Sequence, residues 1–252
     1  MEVVLLTALG VGGATLIGAI LGFVFKKTTH RFSDITLSFA AGVMLAAAVI
    51  GLILPSLEHG GNNLFITIIG IFAGALCLNL VDKLVPHLHG TEVCDGEECH
   101  PSSQARLNKV LLFVFAIGIH NLPEGIAAGV GFGTGNDAEA VTIALGIALQ
   151  NIPEGMVIIG PMLAAGMKPG KTFFIAALTG VVEVVGTFLG YFAVSISAGI
   201  LPFALAFAGG TMLYVISDEM IPETHAHGSQ RGATWSLLAG FCLMLFFDVF
   251  LG

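Results

Sequence analysis

Two nearly identical hexapeptides carry most of the chemistry in this sequence. One is His120-Asn121-Leu122-Pro123-Glu124-Gly125; the other, 30 residues on, is Gln150-Asn151-Ile152-Pro153-Glu154-Gly155. Imidazole, carboxylate and amide oxygen together can ligate a cation or relay a proton. On a helix, residues four apart share a face. His120 with Glu124, and Gln150 with Glu154, therefore form two ligating pairs. Asn121 and Asn151 sit about 100° round from them, still near the same stripe. Pro123 and Pro153 donate no backbone hydrogen bond, and each frees a carbonyl about one turn earlier, near Ile119 and Leu149. Irregular backbone at membrane depth is tolerated only where it is buried or lines a cavity. One such interruption reads as a packing kink; two copies, each with Asn and Glu, read as one shared polar site.

The elements that must hold this site are apolar. The chain has 252 residues, 56% of them hydrophobic and only 10% charged, with mean hydropathy +0.94. Soluble domains carry about 25% charged residues, so this composition excludes one. Hydropathy predicts eight spans near 3–25, 34–57, 64–86, 108–131, 138–162, 171–194, 200–222 and 232–251. Each is about the 20 residues needed to cross roughly 30 Å of hydrocarbon. The fold class is all-α, a single polytopic transmembrane domain over residues 1–252. Its one long connection, 87–107, leaves no room for a soluble catalytic domain. Met1-Glu2 lacks the basic start of a signal peptide, so span 1 reads as a retained helix. Neither the net charge of −8 nor any Lys/Arg cluster suggests nucleic-acid binding.

Charge sets the expected orientation. Lys26, Lys27, Arg31, Lys83, Arg106, Lys109, Lys168, Lys171 and Arg231 all fall at connections after odd-numbered spans. The positive-inside rule places those connections in the cytoplasm and both termini on the extracellular or periplasmic side. Connection 87–107 is then cytoplasmic and reducing, which disfavours a Cys94–Cys99 disulfide. His87, His89, Cys94, Cys99 and His100 with the nearby acids make it a weak, mobile metal-capture loop. Cys77 and Cys242 fall inside spans and read as small apolar packing residues, as do the glycines of span 1.

Other polar residues extend the site. His120, Gln150 and Glu183 each lie 12 residues into their spans. At 1.5 Å per residue this is about 18 Å deep. Met44, inside span 2, is a gap-filler or a soft thioether ligand. Glu58 and His59 lie at the outer mouth; Asp82, Asp218 and Glu219 lie at the inner one. Glu124, Glu154 and Glu183 have no Lys or Arg near their depth. A buried carboxylate costs several kcal/mol unless neutralised or paired, so the partner must be mobile, a proton or a metal ion. His120 favours Zn, Fe, Ni or Co over Na⁺ or K⁺.

The two motifs resemble the signature of the ZIP (Zrt/Irt-like) metal transporters, particularly the bacterial GufA-like branch. The resemblance implies transport of divalent transition-metal ions into the cytoplasm across the cell (inner or plasma) membrane. Zinc is the first candidate, with Fe²⁺, Mn²⁺, Co²⁺, Ni²⁺ and Cd²⁺ behind it. It implies a 3+2+3 arrangement, with spans 1–3 and 6–8 as inverted repeats around spans 4 and 5. It also implies a metal site of one or two ions. His120, Glu124, Gln150, Glu154 and Met44 match its first half; Asn121, Glu124, Asn151, Glu154 and Glu183 match its second. Asn151 stands where members with two ions carry Asp.

Two other readings compete. An intramembrane zinc hydrolase would use a metal-bound water, but His-Glu-x-x-His is absent and His120 is the one histidine inside a span. A proton-coupled exporter would use the same ligands in the opposite direction. No P-loop is present. A divalent ion moving inward gains about 4.6 kcal/mol per 100 mV, enough for passage down a gradient without ATP. The expected partners are the metal ion and the lipid bilayer, with no catalytic cofactor; a homodimer is left open.

Overall fold

A computed structural model describes residues 1–25, 29–84 and 103–251. Lys26 and Lys27 lie outside the described residues, and so do His87, His89, Cys94, Cys99 and His100 of the long connection. The described residues form eight long helical stretches: α1 (Glu2–Val24), α2 (His30–His59), α3 (Leu64–Leu84), α4 (Ser103–Val130), α5 (Asp137–Ala164), α6 (Pro169–Ile196), α7 (Leu201–His225) and α8 (Gln230–Leu251). Among the described residues α1, α2, α3, α5, α6, α7 and α8 are long and apolar enough to cross a membrane. Most helices outrun the hydropathy spans, by up to five residues at the N-terminal end and up to three at the C-terminal end. Hydropathy marks the hydrocarbon core, whereas a helix continues into the interface until a cap or turn stops it.

Local chemistry sets those ends. Thr29 caps α2 by accepting from the Phe32 N–H, and Asn136 caps α5 by accepting from Ala138 and Glu139. Pro169 and Pro202 open α6 and α7, where a missing N–H costs nothing. Two helices are not regular throughout. α2 contains a π-helical segment, Ala47–Ile53, just ahead of Pro55; α7 contains another, Ile216–Met220, just ahead of Pro222. Proline cannot bond the carbonyl four residues back and collides with it. A widened turn at that point accommodates both problems.

α1 packs against α5 and α6, and α4 packs against α6; α2 pairs with α8 and α3 with α7. The α1–α6 crossing is held together by small residues. A Cβ on Gly12 would lie 2.4 Å from the Gly180 carbonyl oxygen, and one on Gly180 would lie 2.6 Å from that of Gly12. α1 and α6 thus cross with bare backbone on both sides. Of the glycines read as packing in span 1, Gly12, Gly18 and Gly22 do pack, whereas a Cβ on Gly10 or Gly13 would meet nothing within 4 Å.

Size is distributed the opposite way from a soluble protein. The buried core is rich in alanine, with Ala40, Ala41, Ala46, Ala47, Ala48, Ala127 and Ala128 in one cluster. Leu6, Phe65, Phe72, Trp235 and Phe250 are exposed on the outside. This is the surface of a multi-pass membrane protein, where lipid is as apolar as the core. For the same reason the reading of Cys77 and Cys242 is corrected. Both are exposed free thiols on α3 and α8; apolar character cannot separate a lipid-facing position from a packed one.

Candidate metal centre

α4 and α5 run through Pro123 and Pro153 as continuous helices. The motif glycines bring them against α6 and α1. A Cβ on Gly125 would lie 2.3 Å from the Glu183 carbonyl oxygen, and one on Gly155 would lie 2.2 Å from that of Thr15. Each motif therefore docks by its glycine, one on α6 and the other on α1. One residue of each motif, four positions before its glycine, comes close to the same carboxylate.

That carboxylate is Glu183, which is fully buried. Thr15 Oγ1 donates to Glu183 Oε1 at 2.6 Å, and Asn121 Nδ2 donates to the same oxygen. Asn151 Nδ2 donates to Oε2 at 2.7 Å. Asn121 Nδ2 also reaches the Thr179 carbonyl at 3.5 Å, and Asn151 Nδ2 the Val11 carbonyl at 3.3 Å. Hydrogen bonds to a charged group are worth about 1.5–3 kcal/mol each, so this hub ties α1, α4, α5 and α6 at one point.

Beside it lies a group of buried acceptors. Asn121 Oδ1, Asn151 Oδ1 and Gln150 Oε1 have no hydrogen-bond partner, and neither Glu124 oxygen has one in bonding geometry, the Gln150 amide being the donor beside it. Glu124 faces Gln150, Glu154 and Glu183, and Glu154 faces His120 and Glu219. His120 Nε2 lies 3.0 Å from Glu219 Oε1, on the π-helical segment of α7. No three His, Cys, Asp or Glu side chains among the described residues are already gathered closely enough to cage a metal ion. Like charges keep the carboxylates apart, and part of the ligand set is amide. The chemistry offered is that of oxygen donors around a carboxylate, with one imidazole at the edge. The imidazole favours a divalent transition-metal ion over Na⁺ or K⁺, which take oxygen ligands alone.

A family model described as ZIP Zinc transporter matches residues 89–248. The zinc transporter GufA of Myxococcus xanthus is 38% identical over 98% of this chain and 98% of its own length. The chain belongs to the ZIP family. ZIP proteins are transporters, not enzymes. The zinc transporter ZIPB of Bordetella bronchiseptica is 37% identical over 95% of this chain and 78% of its own length. Human zinc transporter ZIP11 is 31% identical over 95% and 94%.

Of the residues picked from the sequence of this ZIP protein, the structure gathers His120, Asn121, Glu124, Gln150, Asn151, Glu154 and Glu183. Met44 is fully buried in the apolar cluster that also holds Ala127, Ala128 and Ile147, close along α4 and α5 to Glu124 and Gln150. Glu58 and His59 are exposed at the end of α2, where His59 Nδ1 bonds the Pro55 carbonyl at 3.0 Å. Asp82 lies on the last turn of α3, and Asp218 is exposed. Glu219, expected at the exit only, touches the site through His120.

Two features escape the sequence reading. Thr15 is one of two threonines in a glycine-rich helix; its signal is the 168-residue separation from Glu183, which also separates Gly12 from Gly180. Asp34 is buried at the start of α2, with Oδ1 3.1 Å from His227 Nδ1. A carboxylate just ahead of an apolar run looks like an ordinary interfacial residue.

Proposed function

We propose that this chain carries zinc and related divalent transition-metal ions into the cytoplasm across the cell membrane, using one mid-membrane site. The observation that carries this is the buried set of unpartnered acceptors around Glu124. No Lys or Arg faces Glu124, Glu154 or Glu183 among the described residues. Desolvated acceptors without a fixed counter-charge call for a mobile cation. His120, Glu124, Gln150 and Glu154 would hold the ion, with Met44 beside them; Asn121, Asn151 and Glu183 would border it. Glu219 against His120 gives the ion its next carboxylate on the way out, toward Asp82 and Asp218.

The reading of eight spans takes α4 as the eighth. Its 28 residues extend about 42 Å at 1.5 Å per residue. The 3+2+3 inverted repeat is supported by paired contacts. A separation of 168 residues relates Thr15 to Glu183, and likewise Gly12 to Gly180 and Gly18 to Gly186. Gly18 meets the Ile152 carbonyl, and Gly186 meets that of Leu122, the matching place in the other motif. An even number of spans puts both termini on one side, and the Lys/Arg distribution makes that side the outer one.

The test is flux. Purified protein in liposomes loaded with a zinc-sensitive dye should pass zinc when a gradient is imposed, without ATP. Glu124→Ala and Glu154→Ala, inserted at equal density, should not. Wild-type-like flux in both variants would refute the site, and hydrolysis of a lipid or peptide without flux would favour an enzyme.

A further inference from the structure

Glu183 is a fully buried carboxylate, yet both of its oxygens are engaged by protein donors. Thr15 Oγ1 and Asn121 Nδ2 meet Oε1, and Asn151 Nδ2 meets Oε2. An ionised carboxylate only accepts hydrogen bonds, whereas a carboxamide has one donor end and one acceptor end. An amide held against a carboxylate must turn its nitrogen inward and its oxygen away. The second contact of each nitrogen, to the Thr179 and Val11 carbonyls, demands the same orientation. The two oxygens turned away, Asn121 Oδ1 and Asn151 Oδ1, are buried and bond no protein donor. They share that condition with both oxygens of Glu124, which itself faces Glu183.

We infer that Glu183 is a positioning residue and not a ligand: registered by Thr15, it orients the Asn121 and Asn151 carboxamides so that their oxygens are left to the cation. The inference rests on the reading that Glu124 and Glu154 hold the transported ion. It assigns Thr15 a part in metal binding although its hydroxyl never meets the metal. It also explains why a carboxylate is needed at 183. A Gln there would set its own amide nitrogen against an Asn nitrogen, and one of the two asparagines would have to reverse.

The two possible roles of Glu183 give opposite results when Thr15 is changed. A ligating Glu183, freed from the hydroxyl, would bind zinc as well as before or better. A positioning Glu183 loses its register, and binding weakens. The experiment measures equilibrium zinc binding to the purified full chain in detergent with metal buffers, and counts first-shell oxygen donors by X-ray absorption. Thr15→Val and Glu183→Gln should each weaken zinc binding by about tenfold or more, the usual range for outer-shell partners, and lower the oxygen count. Thr15→Ser should restore both. Thr15→Ala provides the same comparison if the valine variant does not fold. Zinc binding by Thr15→Val as tight as or tighter than wild type, with an unchanged oxygen count, would overturn the inference. Glu124→Ala serves as the reference. If it binds like wild type, the reading of the site itself fails. If it loses binding while Thr15→Val and Glu183→Gln keep it, only the positioning role fails.

Discussion

Replacing Glu124 with glutamine should make the metal-free protein more stable and deaf to zinc. Glu124 is buried, and neither carboxylate oxygen has a hydrogen-bond partner. It also faces two further carboxylates, Glu154 and Glu183. An unsatisfied buried polar group costs about 1–3 kcal/mol, and more if charged. The isosteric amide removes the charge and can donate to Glu154, so about 2 kcal/mol should return to the metal-free fold. For a chain of this length that is a rise of about 4–8 °C in Tm. Zinc works in the other direction. At a thousandfold excess over Kd, a ligand that binds only the folded state adds about 4.1 kcal/mol. The wild type should therefore melt higher with zinc than with a chelator, while Glu124→Gln should melt at one elevated temperature in both. The assay is a thermal melt in detergent, with zinc and with a chelator. A variant that melts below the wild type without metal, and still shifts with zinc, would show that Glu124 is a structural acceptor and the cation is held elsewhere.

Three further outcomes are expected. Gly155→Ala should yield little folded protein, because its Cβ would lie 2.2 Å from the Thr15 carbonyl oxygen; a monodisperse variant with a wild-type melt would mean that α1 and α5 separate more easily than their packing implies. Cys94 should resist an impermeant thiol reagent in intact cells and react after permeabilisation, and labelling in intact cells would invert the topology. Asn151→Asp places a second carboxylate at the 2.7 Å contact with Glu183, so without metal the melt should fall, and metal stoichiometry should rise from one ion to two. Two ions bound already by the unmodified protein at low metal concentration would show that the amide suffices.

The helices and the site were legible for different reasons. Long apolar runs announce membrane helices, and a repeated His/Gln-Asn-x-Pro-Glu-Gly inside them announces a polar centre, because nothing else justifies burying those groups. Depth along each span brought Glu183 level with the motifs. What stayed hidden depends on direction around a helix, or on one helix against another. Thr15 is a weak signal alone and gains meaning only from the residue it bonds across the α1–α6 crossing. Glu219 lies near the end of a span by counting, but the widened turn ahead of Pro222 carries it to His120. Cys77 and Cys242 look the same to hydropathy whether they pack or face lipid.

The crossing of α1 and α6 is also lopsided in charge. Thr15 and Glu183 touch each other across it. Two glutamates at these places would meet head-on; two threonines would leave the asparagines without a carboxylate to lean on. One carboxylate with a hydroxyl opposite it serves both asparagines at once, so neither helix can change its residue here without regard to the other.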